Sequence, residues 1–559
     1  MDKRTLLFFV LLGLILILWP LYSSWMNKGR VPVTPPEGEQ VRPETSAVQE
    51  TPKVTESVEA ALPETGRFIP VEGEVPERIV TVDTDLYTAR FSSRGARLLS
   101  FTLKRYRKAV DGLVEMIPPE RSSGALTFGI PALDLLPFMV DIESLSLDTR
   151  NKVGNLKFTF SDSVGRSLTK EFSFSNDTYS LNLTISCEEP SYFGLEKDYQ
   201  LSWGGPPPLT EKNIGEDLGQ TKAYAYFGGE LLDFKKFKDG ELKEERTGST
   251  SWVALRSKYF AAAIAPKTRS GEGFSVFGRE VPTVIEQKDY KLKEIGMSIT
   301  LPIEGNRISD RVLIYVGPLD YHILKSYGLG LENLVELGWK IIKPFSIFVL
   351  WILAFLHKFL PNYGLVIIIF SILIKVLFHP LTQKSVKSMA RMQELQPKLA
   401  KLKEKYKKDP KKLNEETMKL YKEQGVNPLG GCLPLLLQMP LFYALFVVLR
   451  STIELRSAHF VFWITDLSQM DPYYVLPILM GLTMFIQQKI SIKDPRQKMM
   501  VYMMPAIFIF FFYRMPAGLV LYWTMFNVLS VIEQLYIKRK QPPATVPATT
   551  GKQEIVDRK

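Results

Sequence analysis

The sequence predicts a multi-domain membrane protein: an outer all-β sandwich attached to an α-helical membrane core of five spans, with a separate N-terminal signal-anchor helix. Three observations carry that expectation. Apolar residues concentrate at residues 6 to 22 and again after residue 345, so a mean hydropathy of 0.00 is an average over unlike parts. Between those regions apolar and polar residues alternate with period two. The net charge of +11 is unevenly placed: residues 383 to 425 carry thirteen Lys/Arg against six Asp/Glu, and residues 537 to 559 carry six against two. This composition excludes a wholly disordered chain, a collagen-like chain and a transporter of ten or more spans.

The N-terminus Met1-Asp2-Lys3-Arg4 precedes the apolar run Leu6 to Tyr22. Ser23-Ser24-Trp25-Met26 offers no small-x-small cleavage site, so residues 1–22 read as an uncleaved anchor helix. Residues 23–66, rich in Pro, Glu, Thr and Val without periodicity, read as a flexible acidic linker.

From 67 to 340 the pattern is that of strands. Leu99 to Leu103, Leu156 to Phe160, Phe172 to Phe174 and Tyr179 to Ile185 alternate apolar with polar, and Asn176-Asp177 supplies turn chemistry. An antiparallel β-sandwich of some 250 residues follows. No His cluster or paired carboxylates mark a sugar-processing site there.

Within residues 341–360 the apolar stretch runs only from Phe345 to Leu356 before His357-Lys358, too short to span, so this segment reads as an amphipathic interfacial helix. The spans that follow are 361–382, 429–450, 471–489, 497–514 and 516–536, with a charged helical hairpin at 383–428 and a basic tail at 537–559. In the hairpin Met389, Met392, Leu395, Leu399, Leu402 and Tyr406 form one apolar stripe, Asp409-Pro410 interrupts it, and Leu413, Leu420 and Tyr421 mark a second helix. The positive-inside rule places this hairpin in the cytoplasm. It then puts both termini inside and residues 23–340 outside, in the periplasm of a cell inner membrane. The hairpin's lysines suit ribosomal RNA or anionic lipid headgroups, or serve only to set topology; no RNA-binding motif accompanies them, so no stable nucleic-acid partner is expected.

Lys375 interrupts an apolar helix whose only other polar residue is Ser371. A lysine at mid-bilayer costs about 2.5–3.5 kcal/mol, which leaves two readings: a stem that snorkels toward the cytoplasmic surface near Thr382, or a cationic centre in a water-filled cavity attracting an acidic group. Gln438, Gln487, Gln488, Tyr522, Thr524 and Asn527 are the further intramembrane polar candidates. Thirteen of eighteen methionines fall after residue 388, among them Met439, Met480, Met484, Met503, Met504 and Met525, and such surfaces adapt to varied apolar partners. The two cysteines, Cys187 and Cys432, lie in different regions, and the four histidines form no HExxH pattern, so neither a disulfide framework nor a zinc site is expected.

Asn427-Pro428-Leu429-Gly430-Gly431-Cys432-Leu433-Pro434, Gln438-Met439-Pro440, Asp471-Pro472-Tyr473-Tyr474-Val475-Leu476-Pro477 and Pro516-Ala517-Gly518-Leu519-Val520-Leu521-Tyr522-Trp523 together resemble the YidC/Oxa1/Alb3 membrane insertases in their Gram-negative layout. Trp252 and Lys258-Tyr259-Phe260 extend the resemblance into the β region, which in that family is a mutarotase-like supersandwich. The resemblance implies a non-enzymatic insertase and chaperone without ATP, metal or other cofactor. Nascent membrane proteins would enter a hydrophilic groove open to cytoplasm and lipid, alone or beside the Sec translocon, with ribosome or signal-recognition contacts through 383–425. It also implies a positive residue in the groove, usually Arg and here Lys375, which keeps the charge without the bidentate fork. The family's substrate-contacting face maps to Leu436, Met439, Met503, Met504 and Phe508. Two other classes compete: a small-solute transporter or channel, which requires repeated helix architecture, and a membrane-anchored periplasmic sugar enzyme.

Overall fold

The computed structural model describes residues 76–109, 111–118, 125–205, 207–407, 409–425, 433–491 and 498–540. The expected anchor 1–22, the linker 23–66 and most of the basic tail lie outside the described residues, as does Cys432. The chain divides into two compact units, one of β-structure reaching Glu336 and one of helices from Leu337 onward.

Among the described residues the β unit holds seventeen strands, beginning at Ile79–Asp83, almost all in antiparallel pairs; the exception there pairs Ile79–Asp83 with Ser144–Ser146. The meander Val153–Ser161, Ser167–Ser175, Ser180–Glu188 shows how period two builds the core. Leu168, Lys170, Phe172 and Phe174 all point inward while the residues between them are part-exposed. Phe91 packs at 4.7 Å on Phe172 and edge-on at 5.7 Å to Phe174, and each such buried ring contributes about 1.5–3 kcal/mol. Asn176 does more than turn the chain: its Oδ1 accepts from Asp85 N at 2.8 Å and its Nδ2 donates to Asp85 Oδ2 at 2.6 Å, pinning a loop 91 residues away.

The alternation also carries a lysine into the core. Lys170 is 0% exposed, donates to the carbonyls of Gly95 and Leu126 at 2.9 and 2.8 Å, and lies 4.2 Å from the Phe128 ring centroid. The Gly95 turn admits no side chain, since a Cβ there would sit 2.3 Å from the Asp134 carbonyl oxygen. Lys170→Met strips both carbonyls of their donor, and we expect a loss of about 2–4 kcal/mol, read by denaturant unfolding of the full chain through tryptophan fluorescence.

The last stretch of the β unit is held by long-range bonds. Trp252 Nε1 donates to Leu329 O at 2.9 Å, and Arg256 donates to Leu334 O at 2.6 Å. Lys222 pairs with Glu336, which also accepts from the Tyr224 hydroxyl at 2.9 Å. Burial pushes the Glu336 carboxyl up, but the Arg256 and Lys222 charges and its two hydrogen bonds override this and bring it down to about 2. A carboxyl with a depressed folded-state pKa stabilises fully above its unfolded value and loses that contribution as pH falls toward the folded one. The thermal midpoint therefore drops between pH 4.5 and 2, and Glu336→Gln flattens that part of the profile.

The helical unit comprises α1 (Lys343–His357), α2 (Tyr363–Glu394), α3 (Gln396–Lys405), α4 (Pro410–Glu423), α5 (Leu433–Ser451), α6 (Val475–Ser491), α7 (Lys498–Phe512) and α8 (Ala517–Lys540). Helix α8 packs on α2 and α6, α7 on α6, and α1 on α2. Helix α2 does not stop near residue 382. It runs 32 residues, about 48 Å, through Pro380 and into the segment expected to open the hairpin; the next break comes between Glu394 and Gln396. Asp409 caps α4 by accepting from Lys412 N at 3.1 Å, with Pro410 in the first helical position, and Leu395 and Leu399 pack against Leu420 and Tyr421.

Helix α1 differs from an ordinary amphipathic helix. One face buries Ser346, Val349, Leu350 and Leu353, while the opposite face exposes Phe345, Phe348, Trp351 and Phe355 rather than charges. Apolar side chains are also exposed along α2 (Leu365, Ile372, Val376) and α6 (Ile478, Leu482, Ile486). Such belts suit a lipid solvent and not water. Among the described residues, Tyr363–Pro380 and Ala517–Tyr536 are long and apolar enough to cross a membrane by themselves, and α1, α5, α6 and α7 supply shorter apolar stretches.

Candidate functional site

The polar side chains of the helical unit converge on α8. On α2, Ser371, Lys375, His379 and Gln383 recur every four residues and share one face. On α8, Thr524, Asn527, Ser530 and Glu533 recur every three. These rows meet. Lys375 Nζ donates to Ser530 Oγ at 2.8 Å and forms an ion pair with Glu533 Oε2 at 2.8 Å, with the Phe526 ring centroid at 4.6 Å. The other carboxylate oxygen of Glu533 lies 2.8 Å from His379 Nδ1, and His379 Nε2 lies 2.7 Å from Gln383 Nε2. Lys375 and Glu533 side chains are only 11% and 10% exposed.

The sequence reading expected Lys375 as a cation awaiting an acidic group. The structure supplies that group from within the chain. Hydropathy alone points neither to Glu533 nor to Ser530 and His379 as members of a site. The signal that finds them is the pair of rows, one at spacing four and one at spacing three, which places Lys375 opposite Glu533 once α2 and α8 pack side by side.

The other expected groove residues divide into contacts with α8 and contacts within their own helix. Tyr522, fully buried, accepts from Gln438 Nε2 of α5 at 3.3 Å. Asn527 Nδ2 makes long bonds to Met480 O and Thr483 Oγ1 of α6, at 3.4 and 3.5 Å. Helix α8 thus has a polar tie to each of α5, α6 and α2. Ser371 and Thr524 instead donate to the carbonyls of Ile367 and Val520 one turn back, at 2.7 and 2.8 Å. Gln487 is half-buried on α6, and the Gln488 carbonyl oxygen is buried without a partner.

Of the expected contact face, Met439 on α5 and Met503 and Met504 on α7 are part-exposed. The side chain of Leu436 lies outside the described residues. Phe508 is buried in an aromatic cluster, stacked on Phe512 at 5.6 Å and against Trp523 at 5.7 Å, with Phe442 closing on Trp523 at 4.8 Å. It packs α7 against α5 and α8 and offers no open surface to a ligand. Among the described residues no group of three or more His, Cys, Asp or Glu side chains is placed to hold a metal.

Comparisons with known proteins place both units. A family model described as "60Kd inner membrane protein" matches residues 355–544, and one described as "YidC periplasmic domain" matches residues 79–348. The "Membrane protein insertase YidC" of Chlorobaculum parvum is 36% identical over 96% of this chain and 94% of its own length. That of Syntrophus aciditrophicus is 36% identical over 97% of this chain and 100% of its own. A solved structure described as an active YidC insertase with its first transmembrane domain resolved aligns with 83% of this chain and 95% of its own, at 19% identity and a TM-score of 0.38.

Proposed function

The chain belongs to the family of YidC membrane protein insertases, and from that membership we propose how its polar rows serve the insertion of proteins into the inner membrane. The site at Lys375, lined by Ser371, Gln438, Gln487, Tyr522, Thr524 and Asn527, receives the hydrophilic segment that a nascent membrane protein must translocate. The observation that carries this reading is the convergence of polar side chains from α2, α5 and α6 on α8, within helices whose outer faces are apolar.

Polar groups at membrane depth shorten the hydrocarbon distance a hydrophilic segment crosses, and the short α5, α6 and α7 favour a thinned bilayer around them. An acidic residue of the segment gains from Lys375: at an effective dielectric near 20 a pair 4 Å apart interacts by about 4 kcal/mol as an upper guide. The substrate's own apolar helix then partitions past Met439, Met503 and Met504 into lipid and supplies the driving force. Phe508 joins that path when the aromatic cluster opens between α5 and α7.

In this reading the anchor and the five core helices make six spans, both termini face the cytoplasm and the β unit faces the periplasm. The charge of residues 383–425 supports a cytoplasmic hairpin, available to ribosome or signal-recognition partners, and the insertase works alone or beside a Sec translocon. Site-specific photocrosslinking tests the path. A stalled nascent membrane protein should crosslink to probes at Met439, Met503 and Lys375 and not to probes at the outward-facing Ile478 or Leu482; equal labelling at all five positions refutes it.

A further inference from the structure

Deepening the groove reading, and resting on it, we propose that Glu533 is a resident stand-in for the substrate carboxylate, which holds Lys375 in the idle protein and sets how strongly insertion favours acidic translocated segments. Each Glu533 oxygen is engaged at 2.8 Å, one by Lys375 and the other by His379. His379 Nε2 in turn lies 2.7 Å from Gln383 Nε2, so Glu533 is gripped from two positions on α2, one a turn beyond the other.

This arrangement solves a problem that a free lysine would create. A buried cation without a partner is strongly unfavourable, and removing one member of a buried pair is far costlier than exchanging it for an equivalent. A substrate Asp or Glu arriving at Lys375 replaces one carboxylate by another, so the lysine is never left unpaired. Glu533 need not be expelled into hydrocarbon when displaced. His379, 46% exposed where Lys375 is 11% exposed, keeps hold of the second oxygen at the more open end of the row. Competition by Glu533 also weakens substrate binding, which release into lipid requires. Glu533 is thus a specificity-determining residue acting through Lys375.

The test uses the full-length protein in proteoliposomes and one single-span substrate whose translocated tail carries no, one or two Asp residues, with protease protection as the readout. Glu533→Gln should raise insertion of the two-Asp tail relative to the uncharged tail by about fivefold, the lower end of typical coupling between competing ligands. Glu533→Asp, which keeps the competing charge, should restore the wild-type ratio. If Glu533→Gln lowers both tails in proportion, or leaves the ratio unchanged, Glu533 is only a structural anchor and the proposal falls. Should Glu533→Gln prove protease-sensitive, Lys375→Gln/Glu533→Gln, which removes both charges, must abolish the tail preference; a retained preference overturns the proposal. Lys375→Gln separates the two levels. A preference that survives Lys375→Gln overturns the groove reading itself, whereas a preference lost in Lys375→Gln but unaltered in Glu533→Gln overturns only the role of Glu533.

Discussion

Lys375→Glu abolishes insertion of substrates with acidic translocated segments, and its effect exceeds that of simply removing the charge. The substitution sets a second carboxylate against Glu533, whose oxygen lies 2.8 Å from Lys375 Nζ. Like charges about 4 Å apart at an effective dielectric near 20 repel by about 4 kcal/mol as an upper guide, and the pairing energy is lost as well. The centre no longer attracts acid, while the apolar contacts between the helices are untouched. Complementation of a strain depleted of its own insertase should fail, while the purified protein remains protease-resistant. Lys375→Arg, which retains the cation, should complement. The charge swap Lys375→Glu/Glu533→Lys restores the ion pair and should recover stability; recovery of acidic-tail insertion to the wild-type level by the swap would show that the side of the pair bearing the cation is immaterial.

The second large effect is expected at Asp471. This residue is 1% exposed in the connection between α5 and α6 and accepts three hydrogen bonds: from Trp463 Nε1 at 3.0 Å, from Tyr473 N at 3.0 Å and from Leu476 N at 2.7 Å. Leu476 N lies in the first turn of α6 and Tyr473 N in the connection just before it, so the carboxylate satisfies a helix N-terminus and benefits from its dipole. The third fixes the Trp463 loop upon it. Asp471→Ala leaves three donors unmatched, and since a buried unsatisfied group costs about 1–3 kcal/mol, we expect a loss of about 3–5 kcal/mol. Thermal unfolding in detergent and proteolysis within residues 456–474 should both report it. Asp471→Asn keeps one acceptor oxygen and should lose about half as much.

How far these features were legible varies with their physics. The strands were readable because one buried face imposes period two, and Leu156, Phe158, Phe172 and Phe174 stand where alternation puts them. The same alternation holds Lys170, yet a hydropathy reading passes over a lysine, since nothing in the neighbouring sequence announces the Gly95 and Leu126 carbonyls that accept it. Asp471-Pro472-Tyr473-Tyr474 was recognisable as a motif, but not as a three-donor carboxylate. Lys375 was legible from the cost of a charge in an apolar run. Glu533 was not, because it sits in the last turns of α8 close to Lys538-Arg539-Lys540, where a charge looks like the end of a span. Its partners lie on a helix far earlier in the chain, the nearer of them, His379, by 154 residues, a distance that no local periodicity bridges. The full extent of α2 is not legible from hydropathy, because the apolar run ends at Leu381 while the polar residues after it are good helix formers that carry the helix on to Glu394. The burial of Phe508 depends on Phe442, Phe512 and Trp523 meeting in space.

The pairing of Lys375 with Glu533 bears on how this protein is itself made. The lysine belongs to α2 and its counter-ion to α8, with Ser530, one turn before that counter-ion, following Lys375 by 155 residues. At about 5–20 residues per second the interval is roughly 8 to 30 s. Throughout it α2 must hold a basic side chain whose mid-bilayer cost is about 2.5–3.5 kcal/mol with no acidic partner yet synthesised. A newly made copy is therefore a difficult client during its own biogenesis, stabilised only when α8 arrives.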